Sequence, residues 1–219
     1  MPIKRAPRTV GAGLVVASVV IFAWRAAANW YPGWALLAAA SVVLLIGLAL
    51  LTRRALLRRR AVAWAGDAGW TAAGESSRPW PWQELRLRGD IRVTRAWTRE
   101  VDGLPVTTGE IHWTGGALAG LVLARAGRGV FVVVGLPRPV PEMGLRLPYR
   151  FVGDWPRQTD PEVRQAFLDG LIAPWTVRGG ELFTIEPQGG LFLDPAAFDR
   201  TVRRALRTVA LLHLTQPNR

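Results

Sequence analysis

The sequence predicts an α+β protein: an N-terminal transmembrane helical hairpin, then a mainly antiparallel sheet with two helices, the second of them C-terminal. Three observations carry this. Two long uncharged apolar runs lie in the first 60 residues, with basic side chains at their flanks. Downstream, strand-like runs are separated by Asp-Gly and Gly-Gly dipeptides, the turn chemistry of β-hairpins. Two Asp-Pro pairs, Asp160-Pro161 and Asp194-Pro195, open amphipathic stretches with Asp at the N-cap and Pro at the first helical position.

The first apolar run gives a span at about 9–28, in which Arg25 snorkels toward the headgroups. The second gives a span at about 34–52, completing a transmembrane hairpin over 1–52. Between them Asn29 to Gly33 forms a tight turn, with Trp24, Trp30, Tyr31 and Trp34 as an interfacial aromatic belt. A competing reading makes the basic start and Ala26-Ala27-Ala28 a cleaved signal peptide. Of the formal charge of +12, the first 60 residues hold +9 and no acid, leaving +3 for the rest. The basic groups cluster at Lys4, Arg5 and Arg8 and at Arg53, Arg54, Arg58, Arg59 and Arg60. The positive-inside rule then puts the N-terminus and the C-terminal domain in the cytoplasm, at the cell (inner) membrane.

Residues 53–70 read as a juxtamembrane helix that Gly66 and Gly69 end, and 71–83 as a linker. Arg53, Arg54, Arg58, Arg59 and Arg60 lie at headgroup level as candidate lipid-headgroup contacts. Trp80 and Trp82, in an extended Pro-Trp-Pro-Trp segment, are candidate partner contacts or a cap on the domain. The α+β domain is expected over 84–215. Strands are predicted at 85–88, Ile91–Val101, Leu104–Trp113, 117–124, 130–136 and 145–151. The Asp102-Gly103 turn sets Trp97 against Thr108 and Arg95 against Glu110. The run Val130 to Val134 reads as a central strand buried on both faces. A helix from Asp160 carries the stripe Val163, Phe167 and Leu171 and ends near Pro174. Gly179-Gly180 turns a hairpin that pairs Arg178 with Glu181 and Val177 with Leu182. The last helix buries Phe198, Val202, Ala205, Val209 and Leu212 and turns Arg200, Arg203, Arg204 and Arg207 outward as candidate partner contacts.

The chemistry implied is sparse. Cys is absent, and Lys4 is the sole Lys, so thiolate metal sites, a phosphate-loop Lys and Schiff-base chemistry in the domain are excluded. No Gly-x-Ser-x-Gly or His-Glu-x-x-His motif occurs, and His112 and His213 read as structural or surface residues. No catalytic, cofactor or metal residue is expected, and a domain charge of +3 argues against nucleic acid.

The Arg-rich exit Arg53–Arg60, the Ala-rich helix ending at Gly69-Trp70, the Leu136-Pro137 segment, the stretch Pro174 to Leu182 and Leu193-Asp194-Pro195 together support a resemblance. On them the chain resembles an uncharacterised actinobacterial family of two-span membrane proteins with a C-terminal cytoplasmic α+β domain. The resemblance implies architecture and carries no site residue. The layout is also similar to bacterial PH-like membrane proteins, from which the helix at 160–173 departs. The function expected is a non-enzymatic, membrane-anchored interaction module or accessory subunit of an inner-membrane assembly. Its partners would be the bilayer and a protein partner or a second copy. An anionic-lipid-binding sensor is the alternative, and a membrane-bound enzyme with a carboxylate or His site ranks behind both.

Overall fold

The protein was analysed as a computed structural model, which describes residues 18, 34–74, 79–83, 89–116, 118, 120–154, 160–189 and 194–215. The fold is α+β, built on one eight-stranded sheet. Helix α1 (Trp34–Asp67) is followed by β1 (Thr71–Ala73), β2 (Ile91–Val101), β3 (Leu104–Trp113), β4 (Gly127–Gly135), β5 (Met143–Arg146) and β6 (Arg150–Gly153). Then come α2 (Asp160–Leu168), β7 (Trp175–Arg178), β8 (Glu181–Pro187) and α3 (Pro195–Leu211). The strands lie in the order β1-β2-β3-β4-β8-β7-β5-β6, every neighbour antiparallel. The chain divides into two compact units, residues 1–60 with 189–192, and residues 61–188 with 193–219.

In the first unit, α1 alone among the described residues is long and apolar enough to cross a membrane, by length and composition. The expected first span, 9–28, and the turn Asn29 to Gly33 lie outside the described residues apart from Ser18. Helix α1 has 34 residues, about 51 Å at 1.5 Å per residue, well beyond the roughly 30 Å of a hydrocarbon core. Leu37, Leu44, Leu45, Leu48 and Leu51 are exposed along it. The hydroxyls of Ser41 and Thr52 donate to Leu37 O and Ala49 O, satisfying these polar groups within the helix itself.

In the second unit the sheet is buried on both faces. Alternation along β4 sends Val130, Val132 and Val134 to one face and Phe131 and Val133 to the other. The first face is covered by α3, through Phe198, Val202, Ala205 and Val209, and by Ala61, Ala65 and Trp70. Trp64 stacks on Phe198 (5.2 Å) and Trp70 (5.8 Å) and meets Trp97 edge-on (6.2 Å). Helix α1 ends in a Schellman motif: Trp70 N donates to Ala65 O (2.7 Å), Gly69 N to Gly66 O (3.1 Å), and Gly69 has φ +72. Arg99 donates to Ala68 O and lies over the Trp70 ring, placing a cation at the helix C-terminus.

The Asp102-Gly103 turn, with φ +52 and +75, gives the expected pairs Arg95↔Glu110 and Trp97↔Thr108. The Gly179-Gly180 turn gives Arg178↔Glu181 and Val177↔Leu182. Several expectations need correction. Residues 118 and 120–124 run through turns rather than a strand, because Gly115, Gly116 and Gly120 sit at positive φ and Leu118, Leu121 and Val122 fold onto the second face. The expected strand at 145–151 is the hairpin β5–β6, in which Pro148, with no N–H to donate, occupies the turn. Helix α2 stops at Leu168 before Gly170 (φ +67), so Ala166 and Ile172 are buried and Leu171 is exposed. Residues 71–83, read as a linker, contribute β1 and two core tryptophans. The strand expected at 85–88 lies outside the described residues.

Candidate functional site

The residues singled out for function fall into three places. Trp80 and Trp82 are 7% and 1% exposed, which corrects their reading as partner contacts: such rings offer almost no surface. They stack on each other at 5.1 Å and meet Phe131 edge-on at 5.1 and 5.0 Å, and Trp82 also meets Phe183 at 5.9 Å. The Pro-Trp-Pro-Trp segment is therefore a lid over the second face. Gly109, the cross-strand partner of Phe131, leaves the room its ring needs: a Cβ there would come within 2.7 Å of Phe131 Cε1.

The second place is α3. Asp194 caps it, its side chain accepting from Ala196 N at 3.2 Å, and Pro195 opens the first turn. Of the four arginines proposed for partner contact, Arg200, Arg203 and Arg207 are exposed. Their spacing of three and four makes one stripe. Arg204 is turned toward the sheet, where its Nη1 donates to Glu186 Oε2 at 2.9 Å. Glu186, on β8, is 7% exposed, and its Oε1 has no hydrogen-bond partner among the described residues. Burial pushes the Glu186 carboxyl above the usual carboxylate range, while Arg204, then Arg200, with the neighbouring Thr201, pull it back. The outcome is a buried carboxyl group, paired with Arg204, held at the sheet–helix interface. Nothing in the sequence marked Glu186, because its burial depends on strand order and helix packing.

On β3, Glu110 and His112 share the same face, with His112 Nε2 3.5 Å from Glu110 Oε1. His213 is exposed at φ +52, where the chain leaves α3. Among the described residues no three His, Asp or Glu side chains come together as a metal-ligand group.

The third place is the basic segment of α1. Thr52, Arg53, Ala55, Leu56 and Arg59 line a groove of about 550 Å³, because residues three, four and seven apart share a helix face. Of the five arginines expected at headgroup level, Arg53 and Arg59 both border this open groove, and Arg60 is exposed. The side chains of Arg54 and Arg58 lie outside what the structure describes.

Comparison of the chain with protein-family models, curated proteins and solved structures found no match in any of the three.

Proposed function

We propose that this protein is a membrane-anchored, non-enzymatic interaction module, an accessory subunit or scaffold of an inner-membrane assembly with its α+β domain in the cytoplasm. The observation that carries the reading is α1. Its apolar side chains are exposed from Leu37 to Leu56, as lipid contact requires, and its last turns supply Ala61, Trp64 and Ala65 to the domain core. The anchor and the folded domain thus share one helix. The acidic groups nearest the core are engaged internally: Asp199 accepts from Trp64 Nε1 (3.2 Å) and Glu186 from Arg204. The exposed stripe Arg200, Arg203 and Arg207 is the surface that suits an acidic protein partner.

Purification of the full chain from native membranes tests this. We expect a stoichiometric protein partner that is lost when Arg200, Arg203 and Arg207 are all changed to Glu. Recovery of the protein alone overturns the reading. The groove at Arg53 and Arg59 supports the second reading, recognition of anionic lipid, because two cations flank an apolar floor at the expected headgroup level. The same preparation reads it. Enrichment of anionic phospholipid that Arg53→Gln with Arg59→Gln abolishes favours lipid recognition, and unchanged lipid content counts against it.

A further inference from the structure

Glu186 sits where β8 meets α3, on the sheet face that the helix covers, since its direct partner across the ladder is Val130. Its two carboxylate oxygens are in different situations. Oε2 accepts from Arg204 Nη1 at 2.9 Å, and Oε1 is buried with no hydrogen-bond partner among the described residues. A proton taken up at Oε1 therefore neutralises the carboxylate and leaves the Arg204 bond at Oε2 in place. The charges that act on the carboxyl come from α3: Arg204 first, then Arg200. Asp199, on the same helix, is held by Trp64 Nε1 at 3.2 Å. On the sheet, Glu110 lies in the same row beyond Val130, with His112 Nε2 3.5 Å from its Oε1, and Arg128 is two residues from Val130 on the same face. Arg204 is half-buried and stands four residues from Arg200 and three from Arg207, so it borders the exposed stripe of Arg200, Arg203 and Arg207. An ionised Glu186 offsets the charge of Arg204 and weakens the field of Arg200, and a neutral one does neither.

We propose that proton uptake by Glu186 strengthens the hold of the α3 stripe on an acidic protein partner. This rests on the reading of Arg200, Arg203 and Arg207 as the partner surface. With Glu186 ionised, the cation that borders the stripe is neutralised from within. With Glu186 neutral, the same fold presents one more net positive charge at α3, which an acidic surface feels directly. The coupling is reciprocal, so an acidic partner on the stripe also draws a proton onto Glu186. Burial already pushes the Glu186 carboxyl above the usual carboxylate range, which sets its titration apart from that of exposed acids.

The test uses the full chain in neutral-detergent micelles at constant ionic strength. The probe is a short peptide of cysteic acid, whose sulfonates stay ionised from acidic to neutral pH, and titration calorimetry reads its affinity across that range. Glu186→Gln keeps an acceptor for Arg204 and lacks the titration, so it stands for the neutral state at every pH. Other acids titrate in both proteins, and the readout is the difference between them. We expect the two to bind alike at the acidic end and wild type to fall about threefold behind as Glu186 ionises, the scale of one charge felt across roughly 8 Å of mostly aqueous medium. Carboxyl-carbon NMR of wild type follows the Glu186 titration directly, and the affinity change should share its midpoint, a check that stands even if the variant misfolds. Binding that is abolished by reversing Arg200, Arg203 and Arg207 to Glu, but whose pH profile is the same in wild type and Glu186→Gln, overturns the proposal and leaves the surface reading standing. Binding that the reversal leaves unchanged, or no binding at any pH, overturns the surface reading and the proposal with it.

Discussion

Glu186 shows how a single residue couples the sheet to α3. Its carboxyl is buried against the helix and answered by one close cation, Arg204. Desolvation is the largest influence, so its folded-state pKa lies above its unfolded value. Between those two values the folded protein holds more protons than the unfolded chain. The stabilising contribution is therefore complete below the unfolded pKa and is lost as pH rises through the folded one. Glu186→Gln removes this titration. Denaturant melts across the acidic to neutral range should show wild type losing ground to the variant as pH rises, and parallel curves would refute the argument. Arg204→Met should raise the Glu186 pKa further and cost about 1–3 kcal/mol near neutral pH, the scale of a buried group left unpartnered.

At the scale of elements, what the sequence made legible was local. A two-residue turn sets the register on either side of it, so Arg95↔Glu110 and Arg178↔Glu181 followed from Asp102-Gly103 and Gly179-Gly180. The stripe of α3 followed in the same way from its spacing of three and four. The rest needed packing. The register slips at Thr94, between Val93 and Arg95, and this bulge brings Val93 and Ala96 to one face although they are three residues apart. The run 117–124 has the composition of a strand, yet residues 118 and 120–124 pass through turns on the second face, with Gly115, Gly116 and Gly120 at positive φ and Trp113 Nε1 donating to Ala124 O at 3.0 Å. The lid is the sharpest case, because a Pro-Trp-Pro-Trp segment can be read as a linker that caps the domain or as an exposed ligand, and burial decides for the cap. Trp82→Ala should cost about 3–5 kcal/mol in unfolding free energy, as for other buried tryptophans. A loss below 1 kcal/mol by equilibrium melts would mean that the segment is not part of the core. The candidate site was legible only as a list of arginines. Which of them would be exposed, and that Arg204 would be taken by a buried Glu186, depend on how α3 packs back onto β8, which no spacing within the helix shows.

For the whole molecule, the informative boundary is the one inside α1. Composition places a break where the apolar run gives way to Arg53, and the charge of +9 on the first 60 residues marks the same neighbourhood. The packing places it at Ala61, since the compact sheet-bearing unit starts there. Ala61, Ala65 and Trp70 belong to the first-face core, and the half-buried Trp64 packs against it, joining Trp97 and Phe198 in an aromatic cluster. Losing a buried tryptophan costs about 3–5 kcal/mol. A domain is stable by about 5–15 kcal/mol in total. Removing the buried Trp70 together with the half-buried Trp64 therefore consumes a large part of that margin. Two truncations separate the roles of the two ends of the helix. A chain starting at residue 61 should be soluble without detergent and melt cooperatively with a strong near-ultraviolet tryptophan signal. A chain starting at residue 71 should lose both the signal and the cooperative transition. Equal melts for the two would show that residues 61–70 contribute nothing to the fold, whereas the expected difference makes the end of α1 a structural part of the sheet-bearing unit.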